Sequence, residues 1–84
     1  MWIRSQNRTL TIDMDSYYLA PNNTIYVTKK GLEKEIYMAT YSTNEKGLKV
    51  LDMIQKNINE LNYKEPSWKN NYVFQMPQDA EVKE

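Results

Sequence analysis

Hydrophobic and polar positions follow a helical period in one part of this chain, between Tyr41 and Leu61. Ser42 and Glu45 have the spacing of a capping box, in which a hydroxyl accepts from an early helix amide and a glutamate reaches back. The apolar residues that follow fall within about 160° of one helix face. They are Leu48, Val50, Leu51, Ile54, Ile58 and Leu61. The pattern predicts one amphipathic helix. Because Gly47 has no side chain, the first turn of this helix is expected to lie close to a sheet.

Most of the remaining chain alternates with the period of a strand. The predicted strands are Trp2–Ser5, Thr9–Met14, Thr24–Thr28, Glu33–Tyr41 and Tyr72–Met76, with Ser16–Leu19 as a candidate continuation of the second. Short turns join the first four strands, which favours antiparallel pairing. The expected fold is therefore α+β. It is a small antiparallel β-meander of four strands, with the helix packed on one face and a final C-terminal strand whose partner stays open.

The length of 84 residues predicts a single domain over residues 1–77. Pro77 is expected to end the last strand, and residues 78–84 are expected to form a flexible acidic tail. A domain of this size buries only about 60–65% of its unfolded surface, so its stability is marginal. Small domains often gain stability by self-association, and a homo-oligomer is therefore expected.

The amino-acid composition excludes several kinds of functional site. The chain has no cysteine and no histidine, which excludes disulfides, thiolate metal sites and the commonest proton shuttle. Glycine occurs only at Gly31 and Gly47, so a glycine-rich phosphate loop is excluded too. We find no catalytic constellation and expect a protein that is not an enzyme and needs no cofactor or metal.

Charge and hydropathy also narrow the set of partners. Eleven basic and eleven acidic residues give a formal net charge of zero, which argues against nucleic acid, because such binding depends on neutralising several phosphates. No apolar run of about 18 residues is present, and no hydrophobic signal segment follows Met1. The expected location is the cytoplasm, without membrane association.

Tyrosine is the most suggestive residue type in the strand region. The alternation in Glu33–Tyr41 places Tyr37, Ala39 and Tyr41 opposite Ile36 and Met38. The candidate partner-binding tyrosines are Tyr17, Tyr18, Tyr26, Tyr37 and Tyr41. Tyrosine offers rigid, amphipathic contact area, which is why interfaces favour it. The alternative is that these rings simply suit strands and cover neighbouring backbone.

Basic residues interleave with these tyrosines. Five of them could pair with phosphates while the rings stack on bases, which would suit a nucleotide or a short nucleic acid. They are Arg4, Arg8, Lys29, Lys30 and Lys34. Carboxylates in the same region would cancel much of that field, so ordinary solvated charges are the alternative. We interpret Trp2 and Trp68 as core or loop anchors, with platforms for base stacking as the alternative.

Three stretches carry a family resemblance. They are MWIRSQ at residues 1–6, YSTNEKGLKVLDMIQ at residues 41–55 and VFQMP at residues 73–77. Together they resemble small uncharacterised proteins of Firmicutes bacteria and their phages. The resemblance implies a bacterial or phage cytosol and an accessory role. It implies no catalytic residues.

Two functional hypotheses follow. The first is a non-enzymatic phage or prophage accessory protein that binds a host protein stoichiometrically, with counter-defence as one such role by analogy. The alternative is a sponge that sequesters a nucleotide signalling molecule in a site lined by tyrosine, arginine and lysine, or a weak nucleic-acid binder.

Overall fold

Two three-stranded β-sheets and a long helix enclose a shared hydrophobic core in residues 1–64 and 72–83, the part of the chain that the computed structural model describes. In chain order the elements are β1 (Trp2–Arg4), β2 (Thr11–Asp13), β3 (Ser16–Ala20), β4 (Thr24–Thr28), β5 (Ile36–Thr40), α1 (Asn44–Lys64) and β6 (Val73–Gln75). Short 3-10 helices lie at Pro21–Asn23 and Asp79–Glu81. The architecture is α+β, as predicted.

The first sheet has the strand order β2-β1-β6. β1 pairs antiparallel with β2 and parallel with β6, so the first and last strands of the fold are neighbours. Ile3 and Phe74 face the core from this sheet, whereas Trp2 and Arg4 face outward. The last strand therefore closes the first sheet, a placement that the sequence left open.

The second sheet has the order β3-β4-β5 with antiparallel pairing throughout. The chain passes from the first sheet to the second at Met14 and Asp15. The Met14 amide donates to the Met1 carbonyl at 2.9 Å, and the Asp15 amide donates to the Thr28 carbonyl at 2.8 Å. The predicted four-stranded meander is thus wrong in detail, because this corner divides its strands between two sheets.

An irregularity in β5 changes which residues face the core. Ile25 pairs with Ala39 while Tyr26 pairs with Tyr37, so Met38 is an extra residue in a β-bulge. Met38 and Ala39 are both fully buried as a result. Strict alternation put Ala39 on the outward face with Tyr37, and that placement is wrong.

The helix α1 begins slightly later than predicted. The Thr43 hydroxyl accepts from the Lys46 amide at 3.1 Å, so Thr43 is the capping hydroxyl in place of Ser42. Val50 and Ile54 are fully buried, but Leu48 is 48% exposed and lies outside the buried face. The side chain of Leu61 falls outside the described residues.

Gly47 packs as the sequence predicted. A Cβ at this position would lie 2.7 Å from Cδ1 of Leu19 on β3. That separation is shorter than van der Waals contact, and the missing side chain therefore sets how closely the first turn of α1 approaches the second sheet.

Residues 78–83 pack against the domain, which differs from the expected free tail. Val82 is 5% exposed and belongs to the core cluster. The Asp79 carboxylate accepts from the Ser42 amide at 2.7 Å and pairs with the Lys46 ammonium at 3.3 Å. These contacts extend the domain beyond Pro77 and join its C-terminal segment to the start of α1.

Candidate binding surfaces

Three tyrosines form a continuous row across the outward face of the second sheet. The strand register places Tyr18 opposite Tyr26 and Tyr26 opposite Tyr37. The rings of Tyr18 and Tyr26 are stacked, with centroids 5.8 Å apart and 26° between their planes. Tyr37 meets Tyr26 edge-on at 6.3 Å and 78°. We call these three residues the tyrosine ladder.

The ladder is exposed although its rings contact one another. Tyr18 is 41% exposed and Tyr37 is 45% exposed. The helix α1 packs on the opposite face of this sheet, against β3. The ladder is therefore an aromatic surface on the side of the sheet that the helix leaves open.

Hydroxyl groups lie on both sides of the ladder. Ser16 and Thr28 share a hydrogen bond across β3 and β4, and Thr24 and Thr40 do the same across β4 and β5. The Glu35 carboxylate acts on one member of the ladder, Tyr18. Partial desolvation, followed by a hydrogen bond to this carboxylate and by its charge, raises the pKa of Tyr18 above its ordinary value. The Tyr18 hydroxyl therefore donates to Glu35, and its oxygen can accept a hydrogen bond from a partner.

Tyr17 and Tyr41 do not join the ladder. The Tyr17 ring lies on the inner side of β3, where its hydroxyl donates to Oε1 of Gln55 at 3.1 Å. Tyr41 is 2% exposed, and its hydroxyl donates to the Pro77 carbonyl at 2.8 Å. The prediction that Tyr41 faces outward is thus wrong, because the bulge in β5 shifts the parity of the residues that follow it.

Burial raises the pKa of each of these two hydroxyls. Burial, and then the Asp52 carboxylate, raise the pKa of Tyr17. Burial raises the pKa of Tyr41 more strongly, with a further contribution from the Asp79 carboxylate. Both hydroxyls are neutral donors to other groups of the fold, Tyr17 at its partly exposed margin and Tyr41 in its interior, which is a structural role.

The Lys29 side chain is directed away from the ladder. Its ammonium donates to the Asp13 carbonyl at 2.9 Å and so helps to hold the corner between the two sheets. The Lys30 backbone amide donates to the Asp15 carboxylate in the turn after β4. The structure therefore does not gather Arg4, Lys29 and the tyrosines into one site.

Arg4 lies instead in an open groove of about 330 Å³ on the outer side of the first sheet. The groove is lined by Arg4, Arg8, Thr9, Thr11, Val73 and Gln75. Nε and Nη2 of Arg4 donate to the carbonyl of Arg8 at 3.2 and 3.0 Å, which fixes the direction of the guanidinium. Arg8 itself has a φ of 65° and sits in the turn between β1 and β2.

The sequence already offered Arg8 among the basic residues that could pair with phosphates, and the structure places it in the same groove as Arg4. Local patterns did not indicate that these two arginines lie together. Arg8 lies in the turn between the paired strands β1 and β2, and its carbonyl accepts both hydrogen bonds from the Arg4 guanidinium.

Trp2 is also placed differently from its interpretation as a core anchor. It is 48% exposed on the outer face of β1, directly paired with Val73 and Asp13. The N-terminal ammonium of Met1 lies 2.9 Å from the Asp13 carboxylate, and this hydrogen bond lowers the pKa of Asp13. Trp68 lies outside the described residues.

Residues 1–64 and 72–83 contain neither a candidate membrane-spanning helix nor a candidate metal site. No helix there is both long and apolar enough to cross a bilayer. In the same ranges, no three carboxylate side chains gather closely enough to hold a metal ion.

Comparisons with known proteins give no further indication of function. No family model matches the chain, and neither a curated protein nor a solved structure matches it.

Proposed function

We propose that this protein is a non-enzymatic binding protein whose tyrosine ladder is covered by another protein. The observation that supports this most directly is the ladder itself, with Tyr18 and Tyr37 each more than 40% exposed on an uncovered sheet face. Contiguous aromatic surface of this kind is enriched at the centres of protein interfaces. Each ring also offers a hydroxyl that can hydrogen-bond a partner at little cost in entropy.

The charge around the ladder favours a protein partner over nucleic acid. The neighbouring rows carry the hydroxyls of Ser16, Thr28, Thr24 and Thr40. The charge that acts on Tyr18 is the Glu35 carboxylate, which would repel phosphates. A partner surface with apolar side chains and hydrogen-bonding groups fits this face better.

The expected setting comes from the resemblance to small Firmicutes and phage proteins. We propose that the chain is a phage or prophage accessory protein that acts in the bacterial cytoplasm by occupying a host protein. A counter-defence role is one form of that activity, because blocking a host factor requires only stoichiometric binding. Self-association through another surface is compatible with this role.

The test compares two sets of substitutions of similar exposure. Tyr18→Ser with Tyr37→Ser removes the outer rings of the ladder, and Leu48→Ser on α1 is the control, since Leu48 is 48% exposed. A host protein is first identified by a photo-crosslinker placed at position 37. Its dissociation constant is then measured with the purified pair.

The double tyrosine variant is expected to weaken binding by about 100-fold, since interface tyrosines commonly contribute about 1–2 kcal/mol each. The Leu48→Ser control should bind as tightly as the wild type. Equal affinity of the ladder variant and the control would exclude the ladder as the binding surface. A homo-oligomer in light scattering that the tyrosine substitutions dissociate would show that a second copy covers this face, and would overturn the host-protein assignment.

A further inference from the structure

The groove on the first sheet has a set of donors that matches an anion. Arg4, Arg8 and Thr11 are among its lining residues, and no acidic residue is. The ion pairs of the described residues are Met1 with Asp13 and Lys46 with Asp79, so neither arginine is neutralised by an acid in residues 1–64 or 72–83. Two arginines that line one groove without an acidic partner form a positive patch, which favours an oxygen anion as ligand.

Arg4 is already held in place for such a ligand. Its Nε and Nη2 both donate to the Arg8 carbonyl, which holds the planar guanidinium against the turn. The hydrogens that remain on the guanidinium are available to an oxygen anion in the groove. A donor fixed before binding loses less side-chain entropy when the ligand arrives, so binding is favoured.

The nearest carboxylate on this face is compensated. Asp13 lies two residues along β2 from Thr11 and shares its outward side. The N-terminal ammonium of Met1 contacts it at 2.9 Å and balances its charge. The field over the outer face of the first sheet is therefore set mainly by the two arginines.

Trp2 extends the groove with an aromatic surface. It stands two residues before Arg4 on β1, on the same outward face, and is directly paired with the groove residue Val73. Residues two apart on a strand are separated by about 7 Å, a spacing that a phosphate and a base can span across one sugar. An exposed indole is a suitable platform for a base, and stacking of this kind is worth about 1–3 kcal/mol.

From these observations we infer that the outer face of the first sheet binds a nucleotide, with the phosphate held by Arg4, Arg8 and Thr11 and the base stacked on Trp2. The groove volume of about 330 Å³ is at the lower end of small-molecule sites and suits a mononucleotide unit. This site is separate from the tyrosine ladder and holds its ligand without cleaving it. It differs from the tyrosine, arginine and lysine site expected from the sequence, since it contains the two arginines but no tyrosine and no lysine.

The experiment is a titration of the full chain with four probes: AMP, adenosine, ribose 5-phosphate and inorganic phosphate. Calorimetry gives the affinity, and tryptophan fluorescence reports on the stacking. The expected order is AMP tightest, ribose 5-phosphate and inorganic phosphate weaker by about tenfold or more, and adenosine weak. Increasing salt should weaken AMP binding.

Three variants separate the roles of the residues. Arg8→Asn removes a guanidinium and keeps a residue type that tolerates a φ of 65°, and it should weaken both AMP and phosphate by about tenfold. Trp2→Leu should weaken AMP by about tenfold and leave inorganic phosphate unchanged. Lys56→Gln removes an exposed positive charge from α1 as the control and should change neither affinity.

Several results would overturn the inference. Absence of AMP binding at millimolar concentration would exclude the site, and adenosine binding as tightly as AMP would exclude the phosphate contact. Inorganic phosphate binding as tightly as AMP would exclude the base and leave an anion site alone. Equal effects of Arg8→Asn and Lys56→Gln would exclude the groove. Substitutions in the tyrosine ladder should leave AMP binding unchanged, so failure of the ladder proposal and failure of this one are distinguishable.

Discussion

Replacing Tyr41 with phenylalanine removes one buried hydroxyl and leaves its ring in the core. In the wild type that hydroxyl donates to the Pro77 carbonyl at 2.8 Å, and the Tyr41 side chain is 2% exposed. The bond joins the end of β5 to the segment after β6, two parts of the chain that are 36 residues apart. Its loss is therefore expected to weaken the attachment of the C-terminal segment to the domain.

The size of the effect follows from the burial of both partners. Removing the donor leaves the buried Pro77 carbonyl with the longer hydrogen bond from Nε2 of Gln6, at 3.3 Å, and is expected to cost about 1–2 kcal/mol. For a domain of this length, each kcal/mol lowers Tm by about 4–8 °C. Thermal unfolding followed by circular dichroism should thus show Tyr41→Phe melting about 5–15 °C below the wild type at neutral pH.

Tyr37→Phe is the matched control, because the same atom is removed from a ring that is 45% exposed four residues earlier. Its hydroxyl can reach solvent, and its loss should change the free energy of unfolding by less than about 0.5 kcal/mol. Equal destabilisation by the two substitutions would refute the reasoning, because burial would then not determine the cost.

The pH dependence gives an independent check on the same group. Burial raises the pKa of Tyr41 in the folded protein, whereas the unfolded value is about 10. Below pH 10 the hydroxyl is protonated in both states and contributes its full stability. Above pH 10 the unfolded state binds fewer protons than the folded state, so stability falls as pH rises. The gap between wild type and Tyr41→Phe should narrow above pH 10, and a constant gap would contradict this assignment.

Three other perturbations test the packing and the ion pairs. Ile54→Ala empties a fully buried position of α1 and should cost about 2–5 kcal/mol in denaturant unfolding, whereas a cost below 1 kcal/mol would place Ile54 outside the core. Gly47→Leu forces a Cβ to within 2.7 Å of Cδ1 of Leu19 and should lower the free energy of unfolding by about 1–3 kcal/mol. An unchanged Tm would contradict the close approach of α1 to the second sheet. The pKa of Asp13 and of Asp79 is lowered in the folded state, by a hydrogen bond from the N-terminal ammonium and from the Ser42 amide respectively. Their stability contribution is present above pH 4 and is lost as pH falls, so Asp79→Asn should reduce the acid dependence of Tm, and parallel pH profiles would argue against it.

Local patterns in the sequence were enough to predict the helix, β4 and the contact at Gly47. Each depends on residues close together in the chain, where hydrophobic period and turn chemistry act directly. The four-stranded meander failed at Met14 and Asp15. The alternation of Ile12 and Met14 continues up to the corner, and nothing local shows that the strand then changes sheets. The parallel pairing of β6 with β1 also cannot be predicted from local sequence patterns, because it joins strands that are far apart in the chain.

The candidate surfaces also contain some residues that local sequence patterns place correctly and others that they do not. Tyr18, Tyr26 and Tyr37 could be placed outward from strand alternation, since the register of β3, β4 and β5 keeps them opposite one another. Tyr41 could not, because the bulge at Met38 shifts every later residue by one. The pairing of β5 with β4 in the folded protein, and not the composition of the chain, determines that Tyr41 faces inward.

The adjacency of β1 and β6 has a consequence for the order in which the fold can be completed. During synthesis, residues 2–4 leave the ribosome long before residues 73–75, yet the parallel edge of β1 pairs only with those later residues. Until they emerge, that edge keeps unpaired amides and carbonyls that another nascent chain could recruit. We therefore expect the first sheet to be completed only after Val73–Gln75 has been synthesised.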